Sequence, residues 1–129
     1  MLIVGCRKGE AIAKKVARLL KAEYSGLQVD KFPDNELHIK YNTSVKGKDV
    51  VLVQSFFGDV NDLLMEIIFA AYTANDLGAR RVRLVATYFP YFRQDKRFLK
   101  RECISIEVLG KMLDKCLDEF IVINPHLHR

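Results

Sequence analysis

The sequence predicts an α/β domain: a doubly wound, mainly parallel sheet with flanking helices and an edge hairpin. Three observations predict it. Strand-length stretches rich in apolar residues recur at 2–6, 49–55, 80–88 and 119–124, as expected for strands covered on both faces. Stretches with helical spacing of apolar residues fall between them, and this alternation belongs to parallel-sheet folds. The alternation is interrupted once, around Pro33, Asp34 and Asn35, by two short segments of period two, which read as a hairpin. At 129 residues, half of them apolar, the chain has the size of a single domain, 1–129, with enough material for a core.

The elements follow in order. "LIVGC" (2–6) reads as the first buried strand. In the next stretch Ile12, Ala13, Val16, Leu19 and Leu20 share one helical face, while Lys14, Lys15 and Arg18 point away. "LQVDKF" (27–32) and "ELHIKY" (36–41) form the hairpin, at an edge of the sheet. "DVVLVQS" (49–55) is the second buried strand, and Asn61 or Asp62 is the expected cap of the helix that follows. That helix should bury Leu64, Ile67, Ile68, Ala71 and Ala74 and stop at Gly78. "RRVRLVATY" (80–88) is the third core strand. Ile104, Val108, Leu109, Met112 and Cys116 form the stripe of a last helix, before a fourth core strand, "EFIVIN" (119–124). The chain then stops, where open α/β sheets carry their ligands, which points to a fragment of something longer.

Composition narrows the function. A formal net charge of +5 suits a nucleotide, a sugar phosphate or nucleic acid. Cys6, Cys103 and Cys116 show no C-x-x-C spacing, as in a reducing cytosol, and Cys103 and Cys116 read as buried helix residues rather than nucleophiles. His38, His126 and His128 lack the spacing of a zinc finger. Neither a membrane span nor a signal peptide is expected, so the chain reads as soluble and cytoplasmic. Both G-x-x-x-x-G-K-[ST] and G-x-G-x-x-G are absent, although "GCRKG" (5–9) sits between a strand and a helix.

Three motifs remain. In "FPDNE" (32–36), Asp34 and Glu36 are two apart, so an extended segment points both carboxylates one way, beside the ring of Phe32. They can accept hydrogen bonds from the amine of a base, or form an ordinary turn with solvated acids. "ATYFPYFRQDKRF" (86–98) follows the third core strand. There Arg93 can stack on a flat ring and reach phosphate, with Lys96 and Arg97 adding charge. A solvated basic loop is the other reading. In "NPH" (124–126), His126 could hold a metal or an anion, or be a plain surface group.

Together, "FPDNE", "VVLVQS", "VNDLLMEIIFAAYTANDLGARRVRLVATYFPYFRQDKRF" and "ISIEVLGKML" resemble the amino-terminal half of ribose-phosphate pyrophosphokinase (PRPP synthetase), in its archaeal branch, over nearly the whole chain. The resemblance implies the first of two phosphoribosyltransferase-type domains. It implies transfer of the β,γ-diphosphoryl group of ATP to the 1-hydroxyl of ribose 5-phosphate, with Mg2+. Arg93 and Gln94 would belong to the ATP site of their own subunit. Asp34, Asn35 and Glu36, with Phe32 beside them, would hold the adenine of a neighbouring subunit's ATP, in a homo-oligomer. His126 matches a histidine near the magnesium–ATP phosphates.

Asn35 stands in place of a common Gly, Arg101 and Cys103 interrupt a usual Gly-Glu-Ala-Ile-Ser run, and Asn124 replaces a frequent Asp. Nothing matches the family's ribose-5-phosphate loop or its mobile loop with catalytic Lys and Arg, so no catalytic residue is expected here. The chain reads as an ATP-binding half, inactive alone, that lacks the ribose-5-phosphate domain. The alternative is a non-catalytic, regulatory paralogue. A nucleic-acid-binding domain is the weakest reading, because the cations crowd into one loop with acids between them.

Overall fold

The computed structural model describes residues 1–123. The elements are β1 (Leu2–Gly5), α1 (Glu10–Leu20), β2 (Glu23–Lys31), β3 (Leu37–Tyr41), β4 (Asp49–Gln54), α2 (Val60–Asp76), β5 (Arg81–Ala86), α3 (Ser105–Leu113) and β6 (Glu119–Val122). Six strands form one sheet in the order β3-β2-β1-β4-β5-β6. All neighbours are parallel except β2 and β3. The expected mainly parallel α/β sheet with an edge hairpin is therefore the observed fold.

Side-chain alternation along the strands builds two core layers. On one face Leu2, Val4, Val50, Leu52, Val82 and Leu84 pack against α2, with Leu113 and Cys116 at its margin. On the other, Ile3, Val51 and Val53 meet Ala13 and Ala17 of α1. α2 is the central support: Leu63, Ile67, Ala70 and Ala74 are sealed from solvent, and burying a side chain the size of Ile67 contributes about 1.5–3 kcal/mol. Its end follows the sequence signal. Gly78 takes φ +82°, and the N–H groups of Gly78 and Ala79 return to the carbonyls of Asn75 and Ala74.

β2 has two halves. Glu23–Gly26 pairs with β1, and Leu27–Lys31 pairs with β3. At about 3.3 Å per residue the second half carries the hairpin ~17 Å past the carboxyl end of β1. Tyr41 anchors its return by donating to the Ala70 carbonyl at 2.8 Å, and burial pushes its phenol pKa far up.

Several local expectations fail, each for a physical reason. On α1, Ala13 and Ala17 are buried whereas Ile12, Leu19 and Leu20 are exposed. The helix lies so close to the sheet that a Cβ on Gly5 would stand 3.0 Å from the Glu10 Cα, and only small side chains fit that seam. The hairpin's first strand starts at Glu23, because its first half is a parallel strand of the main sheet. Asp59 occupies the cap position of α2; Asn61 instead accepts a hydrogen bond from Tyr91, and Asp62 pairs with Lys31. α3 ends at Leu113, so Cys116 lies beyond it, and Val108 and Met112 are about half exposed. Cys103 precedes α3 and is exposed rather than buried. β6 is an exposed edge strand instead of a core strand, since no further strand lies beside it among the described residues. No described helix is long and apolar enough to cross a membrane.

Candidate functional site

The segment after β5 opens a cavity at the carboxyl edge of the sheet. Its root is tied to the loop after β4: Thr87 N–H donates to the Gln54 carbonyl and Phe56 N–H to the Tyr88 carbonyl, both at 3.1 Å. Phe89 is buried and meets Phe56, Phe92 and Phe120 edge-on, at ring-centroid distances of 5.0, 5.7 and 4.7 Å. Beyond Pro90 the chain turns sharply. Tyr91 takes φ +65°, its hydroxyl donates to Asn61 Oδ1 at 2.7 Å, and Gln94 N–H donates to the Tyr91 carbonyl at 3.0 Å. A second clamp follows. Glu102 Oε2 accepts the N–H groups of both Phe98 and Leu99 at 2.9 Å, and Arg97 Nε donates to the Glu102 carbonyl at 3.0 Å.

Between the clamps lies a cavity of about 440 Å³ lined by Tyr88, Phe89, Tyr91, Phe92, Arg93, Gln94 and Phe98. Aromatic rings form most of its wall. Arg93 is exposed and makes no hydrogen bond or ion pair with another described residue. Gln94 is half-buried, and its Oε1 accepts a 2.6 Å hydrogen bond from Ser105 Oγ at the start of α3. Lys96 lies 5.4 Å from the Phe98 ring centre, so part of the basic charge rests on aromatic surface. Flat aromatic walls and a free guanidinium are the chemistry that receives a ring bearing an anion.

The 32–36 turn has the hairpin geometry that its sequence signals. Phe32 N–H donates to the Glu36 carbonyl and Asn35 N–H to the Phe32 carbonyl, both at 2.9 Å. Asn35 takes φ +70°, which asparagine tolerates. Glu36 N–H donates to Asp34 Oδ1 at 3.3 Å. Phe32, Asp34, Asn35 and Glu36 are all exposed. The turn and the aromatic cavity share one edge of the sheet but do not meet. The start of α2 stands between them, in a cleft lined by Lys31, Gly58, Asp59, Val60, Asn61, Asp62 and Tyr91. Lys31 Nζ lies 2.6 Å from Asp62 there, and that hydrogen bond holds the carboxyl below its usual pKa.

Sequence reasoning missed a third cluster, at the ends of β1 and β4. Glu66 of α2 is wholly buried. Its Oε1 accepts from Arg7 N–H at 2.9 Å and from Gln54 Nε2 at 3.0 Å, and its Oε2 accepts from Arg7 Nε at 2.9 Å. Gln54 Oε1 accepts from Lys8 N–H at 2.9 Å and Ser55 N–H at 3.1 Å. Gly9 fits against β4 only for want of a side chain: a Cβ there would stand 2.0 Å from the Val53 oxygen. Burial, then the charge of Glu66, pushes the Cys6 thiol well up, which rules it out as a ready nucleophile. The available signal was an acid set inside the apolar run "LLMEIIF" (63–69).

The described residues hold no group of three or more His, Cys, Asp or Glu that could bind a metal ion. His126, the expected metal residue, lies outside the described residues, as do Asn124 and His128.

A family model described as the N-terminal domain of ribose phosphate pyrophosphokinase matches residues 1–116. The ribose-phosphate pyrophosphokinase of Methanothermobacter thermautotrophicus is 35% identical over 126 residues, covering 97% of this chain and 44% of that protein. Phosphoribosyl pyrophosphate synthase-associated protein 2 of Xenopus tropicalis is 34% identical over 116 residues, covering 89% of this chain and 32% of that one. The crystal structure of phosphoribosylpyrophosphate synthetase from Mycobacterium smegmatis superposes with a TM-score of 0.89 at 26% identity, over 98% of this chain and 43% of that one. The chain thus spans less than half the length of each of these relatives.

Proposed function

The chain belongs to the family of N-terminal domains of ribose phosphate pyrophosphokinase, and from that premise we propose that it is the ATP-binding half of such an enzyme. The reaction is transfer of the β,γ-diphosphoryl group of ATP to the 1-hydroxyl of ribose 5-phosphate, giving PRPP and AMP. The observation that carries the reading is the aromatic cavity with Arg93 and Gln94 on its wall. In this reading the adenine ring stacks within the cavity, and Arg93 bridges from ring to phosphate. Lys96 and Arg97 add positive charge beside the polyphosphate.

Phosphoryl-type transfer depends on positioning and charge stabilisation, so a domain that fixes the donor nucleotide contributes without a nucleophile of its own. Magnesium enters as the counter-ion of ATP, and His126 is the proposed residue near it; the described residues offer no cage for a free ion.

The hairpin supports a shared site. It runs past the carboxyl end of β1, and Asp34, Asn35 and Glu36 with Phe32 are exposed at its tip. We assign that tip to the adenine of an ATP held in the cavity of a neighbouring copy, within a homo-oligomer. The test uses the product of the whole reading frame. Glu36→Ala and Arg93→Ala chains should each be poor in PRPP formation, and their mixed oligomers should regain part of the activity, because some interfaces then pair an intact tip with an intact cavity. Mixed oligomers that form and regain nothing would contradict the shared site. The 129-residue chain alone should release only background AMP, since ribose 5-phosphate has no loop here to hold it. Turnover of ~1 s⁻¹ or more by this chain would contradict the half-enzyme reading.

A second reading rests on the 34% identity to a synthase-associated protein. In it, the chain binds nucleotide or a catalytic relative and makes no PRPP. Assay of the whole gene product with ATP and ribose 5-phosphate separates the two.

A further inference from the structure

The polar side chains on the wall of the aromatic cavity are Tyr88, Tyr91, Arg93 and Gln94. The Tyr91 hydroxyl is already engaged with Asn61 at 2.7 Å. Arg93 can only donate hydrogen bonds. Gln94 is the ambiguous member, because a flip of its amide exchanges a donor pair for an acceptor. Its backbone is fixed by the hydrogen bond from Gln94 N–H to the Tyr91 carbonyl at 3.0 Å. Its side chain is fixed by Ser105, whose hydroxyl lies 2.6 Å from Gln94 Oε1. Ser105 is the first residue of α3, so its own position is set by the helix rather than by the loop.

A serine hydroxyl donates or accepts, so this bond holds the Gln94 amide in place and leaves the amide's other polar atom for a ligand. We infer that Ser105 is a positioning residue that holds the Gln94 amide at the cavity wall, so that the nucleotide meets an ordered amide beside the Arg93 donors. The ligand class is a flat heterocycle whose polar edge meets that amide, with acceptor oxygens such as those of phosphate for Arg93. This inference rests on the proposed nucleotide site.

The test is a double-mutant cycle read as ATP affinity of the 129-residue chain by calorimetry, with thermal unfolding as a check on folding. Ser105→Ala should weaken ATP binding about fivefold, the weight of one neutral hydrogen bond. Ser105→Thr, which keeps the hydroxyl, should bind within about twofold of the parent. In a Gln94→Ala background, Ser105→Ala should change affinity by less than about twofold, because nothing is left to orient. An equal loss in both backgrounds would show that Ser105 serves only the helix, and would overturn the inference while leaving the nucleotide site standing. Unchanged affinity in Ser105→Ala would overturn it as well. A parent chain that binds no ATP would overturn the nucleotide reading and this inference with it.

Discussion

Two loops leave the carboxyl edge of the same parallel sheet, and they have opposite characters. The loop from β1 to α1 is closed. Cys6 N–H goes to the Val53 carbonyl, Arg7 N–H to Glu66, Lys8 N–H to Gln54 and Gly9 N–H to the Cys6 carbonyl. Every backbone N–H from Cys6 to Gly9 is already used by the protein. The segment from β5 to α3 is open, with its ends clamped and an aromatic cavity and a free guanidinium between them.

The contrast is instructive because strand order reverses between β1 and β4, and a doubly wound sheet is expected to bind its ligand at such a switch point. Here an internal carboxylate, Glu66, fills that place. Position in a fold offers a site; the satisfaction of its hydrogen-bonding groups decides whether it is used.

Substitutions at the closed loop should damage the fold, and those at the open loop should damage binding alone. The largest effect belongs to Gly9→Ala. The new Cβ meets backbone on β4 at 2.0 Å, so a strand or helix must shift, at a cost of ~4 kcal/mol or more. Urea unfolding should show this as a large fall in midpoint. Glu66→Ala comes next, at about 3 kcal/mol, because it leaves Arg7 N–H and Gln54 Nε2 without their acceptor and opens a hole under the sheet. The same unfolding experiment checks it. A Glu66→Ala chain as stable as its parent would mean that the network is decoration. The smallest effect is at the open loop. Arg93→Ala should leave the unfolding midpoint unchanged within about 0.5 kcal/mol and weaken ATP binding by roughly tenfold, about 1–2 kcal/mol for a desolvated stacked cation. Loss of stability without loss of affinity would erase the contrast.

The sequence was most readable where one local rule sufficed. β1 and β4 are buried apolar runs, β5 buries Val82, Leu84 and Ala86, Gly78 stops α2, and Asn35 turns the hairpin, each as its residue type suggests. It misled where neighbours decide. The largest apolar residues of α1 do not face the sheet, since close approach selects Ala13 and Ala17. β6 has the composition of a core strand and lies exposed at an edge. Arg93 and Gln94 were legible as one loop beyond a strand, and the structure puts both on one cavity wall. Glu66, Gln54 and Arg7 were not, because no spacing rule links positions 7, 54 and 66 until the sheet and α2 are assembled. The separation of the 32–36 turn from the cavity was likewise invisible, being set by the start of α2 between them.

The most direct test is amide chemical-shift mapping of the 129-residue chain during titration with ATP. The perturbed amides should cluster at 88–98 and 102–105, around the cavity, while those of residues 6–9 stay in place because their N–H groups are bonded internally. Perturbation centred on residues 6–9, with the 88–98 amides silent, would contradict the cavity as the ATP site.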